Sequence, residues 1–342
     1  MRAFKILGVI SMFIALSCHA QCTLVSKDID LPSEIKKGQC YELSDGFNLK
    51  KNVSIFGILT TADKSNVEIK SDLNIGKGGS FINQGTTLIT NKSTLILKPY
   101  ANLTNNDLLK IEDGSLLKME AASKFTNDAN ISIKKASLKQ LRDSRFENKG
   151  NLFINDGDFL VNYAYFTNLG SFDLNEFSKF KVNGNSRIQN RGVFNTKKDS
   201  LTQFHDTASL SSFKKIDNEG NIEFYETANL KNRGVIKVFK NAYLGFYDGS
   251  VLNNQHIIVS LGNMTLKGHS VFENYWGLKI AKSGSLSLLK SSSLINRATV
   301  SLEGQLKIES ASTISNKKDF YDEHKRKIIN FEKYALSNAV FH

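Results

Sequence analysis

Proline is nearly absent from this 342-residue chain, with two residues against 23 glycines and 23 phenylalanines. That excludes a proline-rich stalk or a collagen. Cysteine is scarce as well, with three residues, and no two of them stand in a CxxC redox spacing. No Walker loop, HExxH, GxSxG or Cys/His metal cluster occurs. After the first 20 residues no apolar run reaches the roughly 20 residues that a membrane helix needs. What is abundant is Lys, Asn, Ser, Ile and Phe, a mixture that suits turns and strands better than helices. Hydrophobic residues make up 40% of the chain, enough for a sizeable core and too many for global disorder. A formal charge of +12 favours anionic partners or surfaces and says nothing about fold.

Residues 1–20 read as a signal peptide: Arg2 and Lys5, then an apolar run from Ile6 to Ser17, then Cys18-His19-Ala20 before the cut. Lipid attachment at Cys18, in a loose lipobox Ala15-Leu16-Ser17-Cys18, is the minor alternative. Cleavage leaves Cys22 and Cys40, and an even pair in an exported chain is most simply one disulfide. The mature chain then has no transmembrane segment and is expected in the periplasm, outside the cell or on its surface.

One repeat runs through most of the sequence. Its kernel is an apolar residue, any residue, then Asn. The asparagines are Asn83, Asn105, Asn127, Asn148, Asn168, Asn190, Asn232, Asn254, Asn274, Asn296 and Asn316. Between Asn190 and Asn232 the register falls on Ser212, while a good kernel, Ile216-x-Asn218, lies six residues later. Either Ser212 keeps the series or that repeat carries an insertion. Counting Ser212, the spacing is 20, 21 or 22 residues throughout. Glycine often follows two after the Asn, as at Gly150, Gly170, Gly192 and Gly234. Apolar pairs come four and six after it, as at Ile131/Ile133 and Ile236/Val238. Period two means strand.

Each repeat therefore holds two or three short strands that cannot bury their apolar face alone but can do so when stacked. The predicted fold is all-β: a right-handed parallel β-helix solenoid of about 12 coils, 20–22 residues each, with capped ends. Right-handedness is preferred because the hexapeptide period of left-handed helices is missing. A leucine-rich horseshoe is disfavoured because the Asn precedes the strand here. The asparagines should form an internal ladder. The expected organisation is residues 21–60 as an N-terminal cap with the disulfide, 61–316 as the β-helix and 317–342 as a C-terminal cap.

The phrases FENKGNLFI (146–154), FTNLGSFDL (166–174) and LKNRGVIKV (230–238) resemble the repeats of bacterial filamentous-haemagglutinin and autotransporter-passenger β-helices, with their N-x-G turn. The similarity covers roughly residues 75–316. It implies an exported, adhesin-like protein, although the chain has no stretch for an autotransporter's membrane β-barrel.

Many β-helices cleave polysaccharides with paired carboxylates. Here the nearest pair, Asp156 and Asp158, reads as a polar turn, and His205-Asp206 as a surface pair; His269 lacks the acidic segments that accompany such a His in pectin hydrolases. No catalytic residue, metal or cofactor is assigned. More suggestive is the column one after the ladder, where Lys149, Arg191, Arg233, Arg297 and Lys317 recur with Leu169, Phe213 and Tyr275 among them; Lys231 stands in the neighbouring column. A basic and aromatic stripe on a rigid rod suits an anionic polysaccharide or cell-surface glycan. Export argues against nucleic acid. The leading expectation is a non-enzymatic binding or adhesion protein, with a polysaccharide lyase or hydrolase and a structural surface component as alternatives.

Overall fold

A computed structural model describes residues 22–309, 311–317 and 320–322. The predicted signal peptide, Cys18 and most of the predicted C-terminal cap lie outside these residues. Within them, strands of two to five residues stack into three all-parallel sheets of 15, 14 and 14 strands. Every strand but those at the two ends of each sheet pairs with its equivalent one repeat earlier and one later, so each repeat is one coil of a parallel β-helix. There are about 14 coils, slightly more than the 12 expected. Among the described residues, no helix is long and apolar enough to cross a membrane.

The extra coils come from the N-terminal segment. Thr23–Val25 pairs with Cys40–Leu43, which pairs with Ile58–Thr61. Residues 23–60, expected to be a cap, thus already carry the first sheet. In the first coil the 3₁₀ turn Asp28–Asp30 stands where later coils have a second-sheet strand. These coils escape the Asn kernel because Val25 and Leu43, both buried, fill the ladder position. Cys22 and Cys40 are disulfide-bonded with Cα atoms 4.6 Å apart, joining the first coil to the second. At the other end, Phe320–Asp322 pairs in parallel with Val300–Leu302, so the strand columns continue beyond residue 316.

Along each coil the first sheet ends on the ladder residue, a two-residue corner leads to the second sheet, and a tight turn leads to the third. The pleat alternates buried and exposed residues through almost every strand. Twelve phenylalanines, from Phe47 to Phe272, are among the largest fully buried side chains. Most of these rings stack coil on coil, as in Phe204, Phe224 and Phe246, whose successive centroids are 4.6 and 4.9 Å apart. Around Phe159, Phe166, Phe172 and Phe180 the rings meet edge to face as well. Burying each ring is worth roughly 1.5–3 kcal/mol, so these rings, spread over the three sheets, add to the cohesion of a core otherwise built from Leu, Ile and Val.

The ladder is as expected. Asn105 Nδ2 donates to Asn127 Oδ1 at 2.6 Å, Asn127 to Asn148 at 2.6 Å, Asn148 to Asn168 at 2.8 Å and Asn168 to Asn190 at 2.9 Å. Each amide also donates to a backbone carbonyl at the start of the next coil's second-sheet strand, as Asn168 does to Val193 O at 2.9 Å. Thr61 starts the series, its hydroxyl donating to Asn83 Oδ1. The ambiguity at Ser212 resolves in favour of an uninterrupted ladder, since Ser212 pairs with Asn190 below and Asn232 above. Its short side chain leaves a longer contact, 3.4 Å from Asn190 Nδ2 to Ser212 Oγ. Asn218 belongs to the second sheet, where it accepts from the Thr196 hydroxyl at 2.6 Å and donates to Tyr243 O at 2.8 Å.

The corner glycines have a packing reason rather than a dihedral one. A Cβ on Gly170 would strike the Gly150 carbonyl, and one on Gly192 the Gly170 carbonyl. The corners stack so closely that backbone lies on backbone.

Candidate anion-binding face

The residue after each ladder position leaves the core because the backbone reverses its facing at every step. Its amide is fixed by the coil below: Lys149 N donates to Asn127 O, Arg191 N to Asn168 O, Arg233 N to Ser212 O and Arg297 N to Asn274 O, all at 2.7–2.8 Å. The column is therefore a true vertical row at the corner between the first and second sheets. Lys149, Arg191, Arg233, Arg297 and Lys317 are exposed, as are Leu169, Phe213 and Tyr275 at 37%, 37% and 40%. Lys231 is half-buried on the outer face of the first sheet, two residues before Arg233.

The structure brings some of these together and leaves others apart. Arg191 and Arg233 reach Phe213 from the coils on either side of it, with guanidinium carbons 5.3 and 5.4 Å from the ring centroid. Arg297 lies over Tyr275 at 5.3 Å. Cation–π contacts of this kind contribute about 0.5–1 kcal/mol at exposed sites and hold a floppy side chain in one place. Arg233 Nε also donates to Gln255 Oε1 at 3.1 Å, tying the sandwich to the next coil. Lys149 differs. Its Nζ is 2.9 Å from Asp128 Oδ1, and that hydrogen bond, reinforced by the carboxylate's charge, pushes the ammonium pKa up. Asp128 neutralises the lower end of the row.

All the ion pairs among the described residues use lysines. None uses an arginine. The stripe's guanidinium charges are therefore oriented by rings and an amide, without a carboxylate to cancel them. Arginine is weakly hydrated and presents a planar fork of donors, so in this state it is matched to sulfate, phosphate or carboxylate oxygens.

A second row was not singled out from sequence. Three residues before the ladder, on the outer face of the first sheet, stand Lys124, Arg145, Tyr165 and Arg187 in register. Arg145 lies 5.6 Å from the Tyr165 centroid. Together with Thr126, Glu147, Thr167 and Gln189 these residues line a shallow groove of about 490 Å³. The signal was present in the same alignment as the first row, at another offset.

The residues tested for catalysis serve other ends. Asp156 holds a left-handed turn at φ 50° and Asp158 is the exposed first residue of the third-sheet strand Asp158–Asn162. His205 stacks on Tyr225 at 4.9 Å, while Asp206 Oδ2 accepts from Gly184 N at 2.7 Å. Tyr225 in turn donates to Glu223 Oε2 at 2.7 Å and stacks on Tyr247 at 4.8 Å; burial first, then hydrogen bonding, pushes both phenol pKa values well up. Rings stacked face to face present only their edges to solvent, which makes a poor platform for a sugar. Among the described residues no group of three His, Cys, Asp or Glu side chains is placed to hold a metal.

Comparison with protein-family models, with curated proteins and with solved structures found no match for this chain.

Proposed function

We propose that this protein is an exported, non-catalytic binding module, adhesin-like in the manner of the β-helices its repeats resemble, that holds anionic glycans or anionic surfaces along its arginine row. The observation that carries this reading is the Arg191–Phe213–Arg233 sandwich, in which two guanidiniums are held by one exposed ring with no acid beside them. The Cys22–Cys40 disulfide supports an oxidising destination outside the cytoplasm. Arg191 and Arg233, two coils apart, are separated by about one Debye length at physiological salt, so their fields overlap and binding is collective and salt-sensitive.

The test is retention on immobilised heparin at low salt. Reversing Arg191, Arg233 and Arg297 to Glu together should abolish retention. Reversing Lys134, Lys179 and Lys267 changes net charge equally at positions off the row and should leave most of it. Equal loss in both triple variants would mean that only net charge matters, and the row would not be a site.

A further inference from the structure

The two rows of the first sheet are in phase. On the coil through Asn148 the outer positions are Arg145 and Lys149; on the next they are Tyr165 and Leu169; on the next Arg187 and Arg191; then Ser209 and Phe213; then Asn229 and Arg233, with Lys231 between them. From the Asn148 coil to the Asn232 coil, cationic coils thus alternate with coils that carry no charge at either outer position; the coil below, with Lys124 and Asp128, bounds the pattern. With strands about 4.8 Å apart, cations recur about every 10 Å over these five coils. The Phe213 ring enforces this interval where it matters most, since each flanking guanidinium rests 5.3–5.4 Å from its centroid. Glu147 sits between Arg145 and Lys149 and lowers the charge of that coil, whereas Gln189 holds the same place between Arg187 and Arg191. The strongest positive stretch is therefore Arg187, Arg191, Lys231 and Arg233.

We infer that this face binds a linear acidic glycan lying parallel to the rod axis, with an anionic group on every second sugar. This rests on the anion-binding reading above and specifies its ligand. In an extended β-linked chain, one pyranose and its glycosidic oxygen advance by about one strand spacing. A charged sugar then meets each arginine coil, and the uncharged sugar between crosses the coil of Tyr165 and Leu169 or that of Ser209 and Phe213, where no cation stands. A chain charged on every sugar would press half of its carboxylates against those apolar groups, where they lose water and gain no partner.

The experiment measures binding of the intact protein to three oligosaccharides of equal length in physiological salt. They are hyaluronan, with one carboxylate per disaccharide, poly-β-mannuronate, a β-linked chain with one per sugar, and a neutral β-glucan. The parent should bind hyaluronan about tenfold more tightly than poly-β-mannuronate, equivalent to one well-made contact, and the β-glucan not measurably. The exchange variant L169R/R191L keeps the net charge but breaks the interval, and should lose about tenfold in hyaluronan affinity. R233L/Q255R moves a charge at the other end of the sandwich and should lose a similar factor, which guards against misfolding of either variant alone. Hyaluronan binding unchanged in both exchange variants would overturn the inference, as would a parent that prefers poly-β-mannuronate. In either case heparin retention would survive and the broader anion-binding reading would stand. A parent retained by neither heparin nor hyaluronan would overturn both.

Discussion

The column through Asn190 and the column through Arg191 run one residue apart, yet one is uniform and the other is not. From Asn83 to Asn316 the first is asparagine on eleven coils and serine on one; the second reads Gln84, Asn106, Asp128, Lys149, Leu169, Arg191, Phe213, Arg233, Gln255, Tyr275, Arg297 and Lys317. The inner position is sealed from water, so its amide must find donors and acceptors in the coils above and below. Asparagine is complementary to its own image at that spacing. The outer position is solvated and imposes no such demand. Uniformity inside therefore reports on the fold, and the pattern outside is free to report on function.

The comparison can be broken hardest from within. Phe172→Ala removes a ring packed against Phe159, Phe166, Phe180 and Phe194 and should cost about 3–5 kcal/mol in a denaturant titration. Asn168→Ala removes one acceptor from the Asn148 amide and the donor to Asn190 Oδ1 and Val193 O, and about 1–3 kcal/mol should be lost, with glycan retention unchanged once the protein is folded. A melt indistinguishable from the parent would mean that the amides do not support one another. Ser212→Asn sharpens the same point in the opposite direction. Filling the 3.4 Å contact with a ladder amide should raise stability by about 0.5–1.5 kcal/mol, and a loss would show that the Ser212 coil has adapted to the small side chain.

Much of the interior was legible from the sequence because a buried position in a solenoid has the same neighbours on every coil. The spacing of Asn83 to Asn316 gave the coil length, the stacking register and the ladder. The first coils were missed for the converse reason: Val25 and Leu43 satisfy the same place with apolar contacts, so no polar marker repeats there. Ser212 was ambiguous because Ser212 and Asn218 both lie at buried positions, and only strand pairing tells which sheet each joins. The arginine row was visible as a register, but not its internal contacts, nor the ion pair that takes Lys149 out of it.

By itself the sequence pointed to a parallel β-helix, since a 20–22-residue period of alternating apolar residues with the Asn before the strand buries its stripe by stacking coils rather than in a leucine-rich horseshoe, and it indicated which residues face in. It also narrowed the cysteines to one simple pairing, Cys22 with Cys40. Only the tertiary structure decided which charges on the outside remain available. Surface side chains are long and flexible, and whether a cation meets an acid, a ring or water depends on what the coils above and below happen to present. Stacking placed Asp128 beneath Lys149, and Phe213 between Arg191 and Arg233. Those distances, set by hydrogen bonds between residues some twenty apart in the chain, turn a scatter of basic residues into a row of oriented arginines.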